Sequence, residues 1–216
     1  MTTLFLSHGD KGGCGKSTVA TIIGSELLRR KIPFLMIEAD AGETAGQADV
    51  GPRFQDAENV TVMSAPLSLP DQDASDTVSN LFDLIESAGF ENIVMNAPAG
   101  ASETLENIGD LFAGVAEEMG VDLRIAYSLD RSEAAARNAA GVVEGPIFGL
   151  ASHAVLVRNA YNGTPDEYAE RFENFPALAK MPTADVPKLS RDAADTLREH
   201  HDKNLVDLTT RGVSPP

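Results

Sequence analysis

A glycine-rich run near the amino terminus holds the residues whose types and spacing best fit a chemical role. It covers residues 8–18, reads HGDKGGCGKST, and lies between a short apolar run and a helical pattern. Glycines let backbone N–H groups converge on phosphate oxygens, and the start of a helix adds partial positive charge. Lys16 would lie along the β- and γ-phosphates of a nucleotide, and Ser17 would offer its hydroxyl to Mg²⁺. The run therefore predicts a phosphate-binding loop rather than a ligand-free turn.

A second lysine sets this loop apart from the general pattern G-x-x-x-x-G-K-[ST]. Asp10 takes the place of the first glycine, and Lys11 is followed at once by two glycines. The run KGGCGKST resembles the deviant Walker A motif of the ParA/MinD family, ATPases that position plasmids, chromosomes, division proteins and other cargo. The resemblance implies ATP and Mg²⁺ as cofactors. It implies a nucleotide-binding loop made of Lys11, Gly12, Gly13, Cys14, Gly15, Lys16, Ser17 and Thr18.

The resemblance also gives Lys11 a role in assembly. In the family, ATP clamps two subunits face to face, and the signature lysine reaches the partner's nucleotide. Lys11 would then be catalytic together with Lys16, and the chain would form a homodimer in its ATP state. A protein partner that stimulates hydrolysis or carries cargo is expected on the same grounds.

Two strand ends correspond to the switch segments of the family. The first reads IEAD, with Glu38 at the first acidic position of the family's Asp-x-Asp pattern and Asp40 at the second. By resemblance, Asp40 is catalytic because it orders the attacking water, and it contributes to the Mg²⁺ shell. The alternative is a loop aspartate that caps a turn.

The second strand end reads NAPAG and matches the family's Asp-x-Pro-x-Gly except at its first position. Asn96 stands where the family has an aspartate. The implied metal site is therefore Ser17, Asp40 and Asn96. A neutral amide is a weaker partner than a carboxylate for a hydrated cation, so slow hydrolysis is expected.

The base of the nucleotide has two candidate contacts. Asn159 follows an apolar run, and an asparagine here often hydrogen-bonds adenine in the family, because an amide presents a donor and an acceptor together. A turn residue is the equal alternative. The run from Lys180 to Val186 resembles the family's proline-containing base loop, which assigns Met181 and Pro182 to the cofactor.

Alternating apolar runs and helical patterns predict the elements that position these residues. Strands are expected at 4–6, 34–37, 60–63, 93–95, 123–127, 154–157 and 177–180, and helices at 16–30, 76–88, 103–119, 132–143, 165–174 and 188–207. Continuous apolar strands that are each followed by a helix indicate a parallel sheet covered on both faces. The expected fold class is an α/β three-layer sandwich with a mostly parallel sheet, of the P-loop NTPase type. A single nucleotide-binding domain over 1–211 and a frayed tail over 212–216 are expected.

The charge of the chain is strongly negative and unevenly distributed. The 33 acidic and 17 basic residues give a net charge of −16, and Arg53 is the one basic residue between Ile32 and Leu123. This balance makes the chain a poor candidate for broad electrostatic binding to nucleic acid or to anionic lipid, so weak or no direct nucleic-acid binding and no membrane binding are expected. The acidic stretch is either a solvated surface or a face that docks a basic partner.

Other features concern the compartment and the membrane. The single cysteine, Cys14, cannot form an internal disulfide, and no signal-peptide pattern or long apolar run is present, so a cytoplasmic location is expected. Cys14 itself is interpreted as a small residue that fills the loop. Residues 188–207 are too polar for an amphipathic membrane helix, and His200–His201 lack further ligands for a metal.

Three functions remain open at this point. The first is an ATP-dependent, dimerising switch that positions or partitions DNA or protein cargo, with weak, partner-stimulated ATP hydrolysis. A plasmid-encoded variant of this kind fits by analogy. The second is a nucleotide-binding scaffold that scarcely hydrolyses, suggested by Asn96. The third is a small P-loop metabolic kinase or ligase, which is weakened by the lack of a compact arginine cluster.

Overall fold

The protein is described by a computed structural model that covers residues 1–9, 11–39, 50–67, 73–98 and 101–210. Its seven strands are β1 (Thr3–His8), β2 (Phe34–Glu38), β3 (Val60–Ser64), β4 (Asn92–Asn96), β5 (Asp122–Leu129), β6 (His153–Asn159) and β7 (Thr183–Val186). They form one sheet in the order β3-β2-β4-β1-β5-β6-β7, and every neighbouring pair is parallel. The predicted fold class is confirmed, and the sheet is parallel throughout its described strands.

Helices connect the strands and cover the sheet. The described helices are α1 (Lys16–Arg29), α2 (Ala74–Ala88), α3 (Ala101–Glu118), α4 (Glu133–Val143), α5 (Pro146–Leu150), α6 (Pro165–Phe172), α7 (Pro176–Ala179), α8 (Arg191–Glu199) and α9 (Leu205–Thr210). A short 3₁₀ turn, Gly51–Phe54, precedes β3. In the described part of the chain, no helix is long and apolar enough to cross a membrane.

The central strands are buried because both faces of the sheet are covered. All five residues of β2 are buried, and the interior of β4 is equally apolar. One large cluster extends from this sheet to helices α2, α3, α4 and α5, and a smaller one joins α1 to β2 and the 3₁₀ turn. Strands that are buried on both faces read as unbroken apolar runs, which is why the sequence reveals them.

Near the carboxyl terminus the structure corrects two predicted elements. The strand predicted at 177–180 is helix α7, which begins at Pro176, and the seventh strand is Thr183–Val186. The helix predicted over 188–207 is two shorter helices, α8 and α9. Proline is favoured in the first turn of a helix, which accounts for α7, and the mostly exposed residues of β7 leave no apolar run to detect.

The strand register places the candidate residues at the carboxyl edge of the sheet. Ser7 of β1 pairs with Asn96 of β4, and Glu38 of β2 pairs with the same Asn96. The loop that follows β1 therefore lies beside the ends of β2 and β4. In open parallel sheets this edge is where ligands bind.

Candidate functional site

The loop between β1 and α1 has the backbone that a phosphate-binding loop requires. Gly13 and Gly15 have φ angles of 77° and 111°, in the left-handed region that side chains disfavour. A Cβ atom added at Gly15 would lie 2.7 Å from Nδ2 of Asn159. By contrast, a Cβ at Gly12 or Gly13 would meet nothing within 4 Å. The loop thus has open space over Gly12 and Gly13 and a close packing contact at its end.

The amino terminus of α1 carries no side-chain cap. Its N-cap is Gly15, and its first turn contains no acidic residue. Side chains do cap the amino termini of α2, α4, α6 and α8, through Asp73, Ser132, Thr164 and Ser190. The N–H groups at the start of a helix need acceptors, and together with the helix dipole they favour an anion. An uncapped start directly after a glycine loop suits a phosphate group.

Lys16 is a buried cation without a carboxylate beside it. Its relative exposure is 7%, and its Nζ donates to the carbonyl oxygen of Lys11 at 2.9 Å. Among the described residues, no carboxylate oxygen lies within 4.0 Å of Nζ. A buried charge is costly unless an opposite charge compensates it. A bound phosphate would supply that charge.

Cys14 occupies the interior of the loop, as the interpretation of a small filling residue predicts. Its exposure is 1%, and its thiol donates to the carbonyl oxygen of Lys11 at 3.0 Å. The Sγ atom also lies 4.0 Å from Nζ of Lys16. The thiol therefore helps to hold the loop carbonyl that the lysine contacts.

Lys11 points away from the loop toward the surface. Its side chain is 56% exposed, and its Nζ lies 3.9 Å from a carboxylate oxygen of Asp130. Burial favours the neutral form of Asp130, but hydrogen bonds from Ser132 and the charge of Lys11 prevail, so the pKa of Asp130 is below its ordinary value. Asp130, at the end of β5, had no sequence signal as a partner of the loop.

Asn96 and Glu38 form a buried hydrogen-bonded pair at the ends of β4 and β2. Nδ2 of Asn96 donates to Oε2 of Glu38 at 2.9 Å. The other carboxylate oxygen of Glu38 accepts the backbone N–H groups of Val50 and Gly51, at 2.7 and 2.6 Å. Both side chains are at most 6% exposed. The end of β4 thus carries an amide, and the buried carboxylate of this pair lies on the neighbouring strand β2.

The side-chain oxygen of Asn96 is relevant to the predicted Mg²⁺ site. Oδ1 of Asn96 is buried and has no hydrogen-bond partner in the described part of the chain. Asn96 pairs with Ser7, and the Ser7 hydroxyl donates to the carbonyl oxygen of Lys16 at 2.8 Å, so the amide lies beside the start of α1. An unpartnered acceptor there fits a water molecule bound to Mg²⁺, which usually keeps several waters.

The predicted ligand Asp40 lies outside the described residues, as do Asp10 and Gly100. Ser17 is in the first turn of α1, where the phosphate-binding role requires it. Within the described residues, no group of three or more His, Cys, Asp or Glu side chains could hold a metal ion. A magnesium site built from a hydroxyl, an amide and the nucleotide itself does not need such a group.

Asn159 lies against the phosphate loop, but its side chain also holds a turn. Its Oδ1 accepts the N–H of Tyr161 at 3.0 Å, while its Nδ2 faces Gly15. Asn162, which had not been singled out from the sequence, donates through Nδ2 to the carbonyl oxygen of Gly13 at 3.3 Å. The segment after β6 thus contacts the loop near the start of α1.

The other residues predicted at the base are placed differently. Met181 and Pro182 precede β7, and Met181 packs against the main core cluster. The carbonyl oxygen of Pro182 accepts the N–H of Leu156 within the sheet. Residues 187–190, which follow β7, are the ones at the carboxyl edge. The structure therefore brings Asn159 to the loop but does not bring Met181 and Pro182 to that edge.

Comparison with known proteins identifies the fold. No protein-family model matches the chain, and no curated protein matches it. The septum site-determining protein MinD of Pyrococcus horikoshii OT3, complexed with Mg-ADP, is 14% identical with a TM-score of 0.58, covering 100% of this chain and 93% of that one. The MinC:MinD cell division complex of Aquifex aeolicus matches at 15% identity and a TM-score of 0.58, covering 95% of this chain and 88% of that one.

A second group of similar structures consists of chains longer than this one. Chloroplast FtsY from Physcomitrella patens is 12% identical with a TM-score of 0.54, and the match covers 84% of this chain. This chain spans only 56% of that FtsY chain. Identities this low show a shared fold and no more. The fold is that of the MinD and FtsY structures, which agrees with the resemblance seen in the loop sequence.

Proposed function

We propose that the chain is a P-loop ATPase of the ParA/MinD type that binds ATP with Mg²⁺ and uses the nucleotide as a switch. The observation that carries this proposal is the buried ammonium group of Lys16, which lies beside the uncapped start of α1 and has no carboxylate oxygen within 4.0 Å among the described residues. A cation and a set of helix N–H groups that face one point are complementary to the phosphates of a nucleotide. MinD of Pyrococcus horikoshii, whose structure has a similar fold, is complexed with Mg-ADP.

The residues of the site have distinct tasks in this proposal. Lys16 binds the β- and γ-phosphates and offsets the charge that develops during transfer. Ser17 and Oδ1 of Asn96, which has no partner among the described residues, would hold the hydrated metal ion. The Mg²⁺ ion supplies charge neutralisation at the phosphate oxygens when it is bound. Asp40 orders the attacking water, and Asn159 lies on the side of the loop where the base would bind.

The proposal includes ATP-dependent dimerisation through Lys11. This lysine is exposed on the loop, and its contact with Asp130 at 3.9 Å is long for an ion pair. An exposed pair of this kind contributes about 0–1 kcal/mol, so the lysine is easily released to reach a nucleotide in a second subunit. The dimer would then carry or position a cargo, and a partner would stimulate its hydrolysis.

A nucleotide-binding scaffold with scarcely any turnover is the second candidate. It is favoured by the pairing of Asn96 with Glu38, because the amide leaves the end of β4 without a carboxylate. In this alternative the loop binds ATP and the dimer forms, but phosphate release stays close to the uncatalysed rate. The two candidates share the same binding site and differ only in hydrolysis.

Light scattering after size exclusion tests the proposal, combined with a phosphate-release assay. The wild type, Lys11→Ala and the control Lys203→Ala are compared with ATP, with ADP and with a nonhydrolysable ATP analogue. The control residue Lys203 lies between α8 and α9, pairs with Asp202, and makes no described contact with the loop after β1. A dimer that forms with the analogue, disappears in Lys11→Ala and persists in the control supports the switch. A wild type that stays monomeric with every nucleotide contradicts it.

A further inference from the structure

A shallow apolar groove lies between α2 and α3, on the acidic half of the chain. Its floor contains Val78 and Phe82, and its other wall is Leu111 and Val115 of α3 and Met119, which directly follows α3. The groove has a volume of about 270 Å³. Leu111 is 42% exposed and Met119 is 37% exposed, so the apolar wall continues to the surface. Exposed apolar residues that line a groove in this way are typical of a docking site.

The charged residues at the rim of this groove are acidic. Helix α2 contains three acidic residues and helix α3 contains five, and neither helix has a lysine, arginine or histidine. Among the described residues, no acidic side chain of either helix forms a salt bridge. Asp83 and Glu86 line the groove directly.

The position of these charges is also unfavourable for the helices themselves. Glu86 lies in the last turn of α2, and Glu117 and Glu118 lie in the last turn of α3, where the helix dipole is negative and favours cations. Negative charges that are neither paired nor placed favourably are stabilised when a positive surface covers them.

We propose that the α2–α3 groove docks a basic amphipathic helix of a protein partner. From Ser75 to Glu86 the groove extends about 16 Å along α2, at about 1.5 Å per residue, which suits a segment of about three helical turns. The apolar side of such a helix fills the groove beside Leu111 and Met119, and its lysines or arginines face the acidic rim. The proposal does not depend on the proposed ATPase function.

Other occupants fit this surface less well. Nucleic acid and anionic lipid carry the same sign of charge as the rim and would be repelled. A second copy of this chain that used the same face would bring two acidic rims together, since the interface of a two-fold dimer is made of the same patch on both subunits. Positive charge and an apolar stripe on one segment are the features that complement the groove.

Peptide binding measured by fluorescence anisotropy tests the proposal. The probe is a labelled, amidated amphipathic peptide of about 14 residues, with leucines on one side and lysines on the other. The double variant Asp83→Lys/Glu86→Lys is compared with the control Asp192→Lys/Glu199→Lys, which makes the same change of charge on the exposed surface of α8. We expect affinity at least about tenfold weaker in the groove variant and within about twofold of wild type in the control.

The apolar part of the surface has its own pair of variants. Leu111→Ser removes a groove side chain, and Ile22→Ser removes an equally exposed one, at 38%, from α1. Weaker peptide binding in Leu111→Ser but not in Ile22→Ser is expected. Equal losses in both charge variants would show a response to net charge alone and would overturn the proposal. A dimer in solution that is abolished by Leu111→Ser and competes with the peptide would assign the groove to a second copy and would also overturn it.

Discussion

Replacing Asn96 with aspartate tests what stabilises its buried pair with Glu38. The introduced carboxylate would stand where Nδ2 now donates to Oε2 of Glu38 at 2.9 Å. Two unit charges about 3 Å apart repel by ~5 kcal/mol at an effective dielectric constant of about 20. The variant also loses a hydrogen bond to a charged acceptor, which contributes about 1.5–3 kcal/mol. Because the pair can relieve the repulsion by sharing one proton, we expect a net loss of about 2–4 kcal/mol at neutral pH.

The destabilisation should depend on pH in a defined direction. A folded state that holds an extra proton on the pair binds more protons than the unfolded state, so its stability falls as pH rises. The stability of Asn96→Asp should therefore approach that of the wild type near pH 5 and be lower than that of the wild type toward pH 8. Thermal or urea unfolding across this range measures the difference, which at neutral pH corresponds to roughly 4–16 °C in melting temperature.

The swapped variant Glu38→Gln/Asn96→Asp is the matched control. It keeps the net charge of the pair, because the glutamine amide can donate to the new carboxylate while its oxygen accepts from Val50 and Gly51. We expect it to recover most of the stability lost in Asn96→Asp. It also moves the carboxylate to β4, so phosphate release should respond more strongly to Mg²⁺. Two results would refute the reasoning. One is that Asn96→Asp is as stable as the wild type at pH 8, and the other is that Glu38→Gln/Asn96→Asp is no more stable than Asn96→Asp.

Three further changes test other parts of the account. Gly15→Ala, at a φ of 111° and facing Asn159, should lower the free energy of unfolding by about 1–3 kcal/mol in urea titrations, whereas Gly12→Ala, in open space, should have little effect. Asp130→Asn releases Lys11 and should strengthen the ATP-state dimer by no more than about fivefold in light scattering; a weaker dimer would argue that Asp130 positions this lysine. The hydroxyl of Ser152 and, to a smaller extent, the guanidinium of Arg124 hold the pKa of Asp122 below its ordinary value. Asp122 therefore stabilises the fold above its unfolded pKa, and this stabilisation is lost as the pH falls through its folded pKa. Asp122→Asn should thus be less stable than the wild type by about 1–3 kcal/mol at pH 7, and the gap should narrow below about pH 4; a gap that is constant with pH would contradict the assignment.

Sequence patterns predicted the central part of the fold because its strands are buried on both sides. Residues 34–37 form one unbroken apolar run, and the structure buries all of them in β2. The same argument fails for β7, which is short and mostly exposed at the edge of the sheet, so it leaves no hydrophobic pattern. The separation of α8 from α9 likewise falls in a polar stretch, residues 200–204, where periodicity gives no boundary.

The loop after β1 was recognisable in the sequence because its motif is made of consecutive residues. The partners of the loop were not, since they come from distant parts of the chain. The pairing of Asn96 with Glu38 requires the register of β2 against β4, and the contact of Asn162 with Gly13 requires the path of the chain after β6. The sequence shows that Asn96 differs from the residue of the family motif. Only the position of the neighbouring strand β2 shows which carboxylate its amide contacts.

Nucleotide affinity of Lys16→Ala is the most direct test of the central claim, that the loop after β1 is a phosphate site built around a buried cation. Titration of a fluorescent ATP analogue with Mg²⁺ should give a dissociation constant at least about tenfold weaker than that of the wild type, while the control Lys203→Ala stays unchanged. Melting curves without nucleotide should show that the variant remains folded. Equal affinities for the wild type and Lys16→Ala, or a wild type that binds no nucleotide at millimolar concentration, would contradict the account.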